Sequence, residues 1–374
     1  MANYKVISSD SHVVEPPNLW VERMDRARFG DKIPHLVEGE PFDFWYAENK
    51  KAAPVGAITQ AGLRFERPQD IIQEGKFGAV RPGGYIPVEH VKDMDEDGVY
   101  GGVVYPSIGL SLYEKLEDPE LTRETFAAYN DWLAEFCSAD SKRLKGAAML
   151  LVEENVGQAV EELRRIAEMG LTSAMISSYP RVGLTYDKPL YEPFWSAAEE
   201  LDVTLNLHVT TNRPTTDPGL RGDSAGRIAS WVQHDYWARM CLCHIIFSGV
   251  LERHPKLKFA NVEHELGWLP FFMHRIDVAY REKQQSLPMR FKTDATPSDF
   301  MRSNVYHSFQ EDAMGIQFRH VIGVDNLMWG SDYPHSESTF PKSLEILDRI
   351  LKGVPEKERA KIAGGNTAKV YKFD

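Results

Sequence analysis

Eight short apolar runs, each followed by a stretch of helical periodicity, constrain this chain more than any other feature of it. The first run is Lys5-Val6-Ile7. The second is Gly101-Gly102-Val103-Val104-Tyr105 and the third Lys145-Gly146-Ala147-Ala148-Met149-Leu150-Leu151. Ala174-Met175-Ile176-Ser177, Val203-Thr204-Leu205-Asn206-Leu207-His208 and Leu257-Lys258-Phe259-Ala260-Asn261-Val262 follow. Asn304-Val305-Tyr306-His307 and Leu327-Met328-Trp329 complete the set. Helical patterns fall at 121–139, 155–169, 190–201, about 227–251, 267–282, 311–320, about 341–351 and 355–364. Short apolar runs without polar alternation read as strands buried on both faces. Helices between them make those strands parallel. Eight such units predict an α/β chain folded as a (β/α)8 barrel of the TIM type. An open doubly wound sheet is the alternative, and no Gly-x-Gly-x-x-Gly follows the first strand to support it.

Residues 16 to about 92 break the pattern. They are rich in Pro, Gly and aromatic residues and weakly periodic. They read as a long insertion after the first strand, with short helices and a hairpin, in the place of a lid. Phe42, Phe44, Trp45 and Tyr46 within it suit a core or a bound aromatic molecule. Residues 1–374 then form a single barrel domain carrying that insertion.

Composition narrows the partners. A net charge of -12 argues against nucleic acid, which favours a basic face. No run is long and apolar enough to span a membrane, and the start reaches polar Ser8-Ser9-Asp10 without the apolar core of a signal peptide. Cys137, Cys241 and Cys243 are too few for a disulfide framework and suit a reducing, cytoplasmic setting. Cys241-Leu242-Cys243-His244 resembles a ligand cluster but lies in an apolar helical segment. Positions two apart on a helix face apart, so a core role is expected.

In a barrel of this kind the chemistry sits at the carboxyl ends of the strands. There the sequence places Asp10-x-His12, His208, Glu263-His264, His307 and Asp332, the last within Trp329-Gly330-Ser331-Asp332-Tyr333-Pro334-His335. Each residue alone has an ordinary reading, as a cap, a turn or a packed histidine. Together, the imidazoles and carboxylates at the ends of strands 1, 5, 6 and 8 point to a divalent metal site: zinc, with manganese or iron on a carboxylate-rich set. Asp10 and His12 lie on one side of an extended strand and can act together.

Four motifs carry a resemblance to a known family. They are Asp10-Ser11-His12-Val13-Val14-Glu15-Pro16, Gly267-Trp268-Leu269-Pro270, Gly330-Ser331-Asp332-Tyr333-Pro334-His335 and Gly365-Asn366-Thr367-Ala368. Through them the chain resembles the amidohydrolase superfamily, in the branch of aminocarboxymuconate semialdehyde, γ-resorcylate and 5-carboxyvanillate decarboxylases. The resemblance spans 4–15 and about 90–372. It implies a metal-dependent enzyme that decarboxylates a small aromatic or unsaturated acid without an oxidant. Hydrolysis of an amide, ester or lactone is the alternative, and a non-catalytic barrel a third reading. It implies Asp10, His12, His208 and Asp332 as ligands of one divalent ion per chain, His264 as general base or water-orienting residue, and Asp332 as proton shuttle too. Asp10 stands where the branch has His or Glu, which opens manganese beside zinc. No lysine ends the fourth strand to bridge a second ion. Pro270 lies six residues after His264, the spacing in the decarboxylases, which favours His264 over Glu263 as the residue facing the site. The branch also implies a homodimer or homotetramer.

A small anionic substrate needs a cation or a donor. Arg213, in the loop after His208, is the best placed, with Arg181 and Arg227 nearby; His307 and His335 also suit the pocket wall. Glu15 either orients His12 from behind or starts a helix.

Overall fold

The structure, a computed structural model, describes residues 4–56, 60–72, 74–213, 228–229, 232–283 and 290–374. Strand β1 (Ile7–Val13) opens it. Three short strands follow, β2 (His35–Val37), β3 (Phe44–Ala47) and β4 (Lys50–Pro54), paired antiparallel in that order. The hairpin expected in the insertion is thus a three-stranded sheet. Trp45 on β3 is fully buried, edge-on to Trp20 with ring centres 5.5 Å apart, so it serves the core.

Then come β5 (Gly101–Pro106), β6 (Leu144–Met149), β7 (Ser173–Ile176), β8 (Thr204–His208), β9 (Phe259–Val262), β10 (Val305–Phe309) and β11 (Leu327–Trp329). With β1 they form one eight-stranded parallel sheet in the order β1-β5-β6-β7-β8-β9-β10-β11. Helices follow β5, β6, β7, β8, β9 and β10. The last strand returns to the first through a parallel bridge between Ser11 and Tyr333. The amides of Ser331 and Asp332 both donate to the Asp10 carbonyl, at 3.1 and 2.8 Å. Gly330 permits this approach, since a Cβ there would stand 2.5 Å from that of Asp10. The sheet is therefore a nearly closed (β/α)8 barrel.

Register decides which side chains look inward. His12 pairs with Tyr105, and the Tyr105 and Tyr371 hydroxyls both donate to Asn206 Oδ1, at 3.0 and 2.7 Å. Tyr105, Asn206 and His208 therefore share the interior with His12. Asn206 pairs with Met175 and Ala260, which continue that face. Leu207 and Asn261 pair on the opposite face, under the helices. The C-terminal helix Asn366–Tyr371 plugs the lower end, where Thr204 Oγ1 also donates to the Val370 carbonyl at 3.2 Å.

Two expected helices are interrupted. The segment expected at 227–251 holds Tyr236–Phe247 and Val250–Arg253, separated at Gly249 by its left-handed backbone (φ 75°); part of its start, with Arg227, lies outside the described residues. The helix expected at 311–320 is two short ones, Ala313–Gln317 and Arg319–Ile322. No described helix is long and apolar enough to cross a membrane. Removing the lower plug should be costly. Tyr371→Ala is expected to lower unfolding free energy by about 3–5 kcal/mol in urea titrations, because a large buried ring and its hydrogen bond are lost. Exposed Lys357→Ala should change it by less than about 0.5 kcal/mol.

Candidate metal centre

The upper end of the barrel gathers the strand-end residues. His12 Nε2 lies 3.3 Å from Asp10 Oδ1 and 3.3 Å from Asp332 Oδ1. His208 Nε2 lies 3.4 Å from the same Asp10 oxygen and 3.5 Å from Glu263 Oε2. Donors that share one ion at ~2.0–2.2 Å must stand roughly 3.0–3.5 Å from their neighbours. Asp10, His12, His208 and Asp332 are buried. Their facing atoms, Asp10 Oδ1, His12 Nε2, His208 Nε2 and Asp332 Oδ1, have no hydrogen-bond partner. Buried polar atoms are rarely left so, and donors linked in this way through His12 and Asp10 fit a divalent cation held among them.

The backbone sets the tautomers. His12 Nδ1 donates to the Pro106 carbonyl at 2.9 Å and His208 Nδ1 to the Val209 carbonyl at 3.1 Å. A carbonyl only accepts, so Nδ1 carries the hydrogen and Nε2 offers its lone pair to the centre. A serine network holds β1 against β11 beneath it. Ser8 Oγ donates to the Asp10 carbonyl at 2.7 Å and accepts from the Ser331 amide at 2.9 Å. Ser9 Oγ lies 2.8 Å from Ser308 Oγ.

The charges point the same way. Burial alone would raise the pKa of Asp10, but His12 and His208 hold it well below the usual carboxylate range. Burial would raise Asp332 too; His335 and His12 keep it low. Burial would lower His12, yet Asp10 and Asp332 hold it well above its ordinary value. The pocket favours positive charge.

The amidohydrolase family matches residues 79–373. This chain belongs to the amidohydrolase family. It is 25% identical over 304 residues to a γ-resorcylate decarboxylase of a Rhizobium species, covering 76% of this chain and 86% of that one. Its fold is similar to that of an amidohydrolase from Mycobacterium avium subsp. paratuberculosis, with TM-score 0.77 and 20% identity over 99% of this chain and 100% of that one. It is also similar to a dihydroxybenzoic acid decarboxylase from a Polaromonas species, solved with bound manganese and the inhibitor 2-nitroresorcinol. There the TM-score is 0.65 and the identity 20%, over 99% of this chain and 97% of that one.

Several expected site residues of this amidohydrolase stand differently from the sequence reading. Glu263, not His264, brings its side chain to the donor atoms. The regular alternation that allowed only one of them inward ends at Val262, because Glu263 and Glu265 take left-handed backbones (φ 61° and 54°). Burial, then Asp332 and Asp10, push the Glu263 carboxyl well above its ordinary value. His264 is buried behind, edge-on to His234 at 6.1 Å, and burial with His234 and His208 keeps its imidazole neutral. His307 pairs with Asn261 and so faces outward, away from the cluster; burial drives its pKa down to about 3.

Arg213 is not a free cation at the site. It is fully buried, its Nε 3.0 Å from a Glu153 oxygen, and it donates to the Tyr113 carbonyl. Arg181 is paired in turn with Glu154 at 3.1 Å. Glu15 does not touch His12. It accepts from the amides of Ile108 and Gly109, at 2.9 and 2.8 Å, and so caps the helix Ile108–Lys115. His335 does reach the centre: Nδ1 lies 2.9 Å from Asp332 Oδ1, Nε2 lies 2.9 Å from Ser107 Oγ, and the ring stacks on His12 at 4.0 Å. Neither donor group among the described residues contains a cysteine.

The Pro106 carbonyl, Ser107 and the serines of β1 escaped the sequence reading. Their only signal was position, directly after or within a strand. Two outcomes are expected. Saturating divalent metal at ~100 times its Kd should stabilise the folded protein by about 2.7 kcal/mol, reversed by a chelator in thermal unfolding. Glu15→Ala should cost about 1–3 kcal/mol through the uncapped amides, yet leave metal stoichiometry unchanged.

Proposed function

We propose that this amidohydrolase carries out metal-dependent, non-oxidative decarboxylation of a small aromatic or unsaturated carboxylic acid. The observation that carries the reading is the set of four buried, unpartnered donor atoms on Asp10, His12, His208 and Asp332 at the barrel mouth. The relatives add the substrate class: the Rhizobium protein is a γ-resorcylate decarboxylase and the Polaromonas protein a dihydroxybenzoic acid decarboxylase. Manganese is proposed over zinc, because a carboxylate-rich donor set favours a harder ion and the Polaromonas relative carries it.

A divalent ion held there supplies a Lewis-acid contact that orients an anionic substrate oxygen. The chain's own residues then handle one proton. The bond from ring to carboxyl carbon breaks, carbon dioxide leaves, and the electron pair left on carbon takes up a proton. Asp332 is the group placed to move it. Its Oδ1 faces the centre, and His335 connects it to Ser107 and the less buried rim. His264, neutral and behind the cluster, keeps positive charge off that flank.

The test is turnover of manganese-loaded protein on hydroxybenzoates, amides and lactones. Carbon dioxide release from a hydroxybenzoate, lost on chelation and restored by manganese, is expected. Asp332→Asn should lower kcat by at least about 100-fold while remaining folded. Hydrolysis of a lactone or amide with no carbon dioxide released from any acid would sink the decarboxylase reading.

A further inference from the structure

We propose that Glu263 is a fifth protein ligand of the metal centre, closing it from the side of the barrel mouth. This rests on the metal reading above and goes beyond the four ligands that the family resemblance implies.

Glu263 Oε2 stands 3.5 Å from His208 Nε2, close to the 3.3 and 3.4 Å contacts among the other donors. Single donor atoms of Asp10, His12, His208 and Glu263 all lie within 4.8 Å of one another. The facing atoms of Asp10, His12 and His208 are buried and without hydrogen-bond partners, so the point that Glu263 approaches is one that other side chains are aimed into. Among the described residues no lysine or arginine pairs with Glu263; its ion-pair contact is with His208.

The backbone supports the same assignment. A left-handed conformation is uncommon for glutamate. Here it occurs at Glu263 and again at Glu265, just where β9 ends. A regular strand would give the centre either Glu263 or His264, whereas this turn brings the carboxylate in and leaves His264 packed behind it. The Glu263 side chain is 28% exposed, against 4% for Asp10 and Asp332, so it lies on the open side where a substrate arrives.

Three carboxylates and two imidazoles exceed the four donors of a tetrahedral zinc site. They would suit an oxygen-preferring ion such as manganese.

Manganese binding by the full chain, followed by electron paramagnetic resonance, tests this. Glu263→Gln is expected to weaken manganese affinity by at least about tenfold. Glu337→Gln is the control for charge alone. Its carboxylate influences both Glu263 and Asp332 but is not in the donor group. It should change affinity by less than about threefold, as a solvent-screened charge does. Glu263→Gln within about threefold of wild type, or an equal loss in both variants, overturns the assignment. Should Glu263→Gln fail to fold, the manganese-loaded wild-type crystal structure decides. A Glu263 oxygen at about 2.2 Å from the ion supports the proposal, and one beyond about 3 Å ends it. Wild-type protein that takes up no divalent metal refutes the metal centre itself, an outcome read without any variant.

Discussion

The Asp10 carbonyl is the point on which the rest of the molecule depends. It accepts the amides of Ser331 and Asp332 together with the Ser8 hydroxyl. Those bonds close the barrel between its last strand and its first. They also carry Asp332, from the end of the chain, to within 3.3 Å of His12 near its start. Closure and site assembly are one event, because the residue that is bound through its carbonyl is also the one that offers its carboxylate to the centre. Gly330 makes this possible by bringing no side chain to the seam.

The second constraint is charge. Burying an ionised carboxylate costs several kcal/mol unless something compensates it. Asp10 and Asp332 meet at His12, and Glu263 faces His208, yet the nearby described arginines are committed elsewhere. Arg213 answers Glu153, and Arg181 answers Glu154. Arg81, on the insertion, grips Asp93 through two hydrogen bonds. Among the described residues the ion-pair partners of the central carboxylates are imidazoles, and Nδ1 of His12 and of His208 already donates to a carbonyl. A divalent cation would balance the charge of this arrangement.

Much of this was legible beforehand, for identifiable reasons. The barrel strands are buried on both faces, so they stand out as unbroken apolar runs, and a polar residue at the end of each run is conspicuous. Asp10, His12, His208 and Asp332 were found that way, and the structure sets each within 3.3 or 3.4 Å of another of them. Glu263 was misjudged, because the inference assumed an extended backbone through His264. Its left-handed backbone ends the alternation on which that inference relied. His307 was misjudged for a related reason: a strand-end histidine signals position along the strand, but only register tells which face it occupies. Arg213 was read as open because its counter-charge, Glu153, is sixty residues away in sequence and adjacent only after folding.

The sequence by itself determined the order of eight strands and helices, the ends at which chemistry gathers, and the imidazole and carboxylate types that suit a divalent ion. Those follow from local hydrophobic pattern and side-chain chemistry, which need no partner to be read. Only the tertiary structure decided which donors share one point, which tautomer each histidine presents, and which charges are already matched. These depend on barrel closure, register and contacts between distant residues. A one-dimensional pattern constrains such contacts weakly, whereas a few hydrogen bonds at the Asp10 seam settle them.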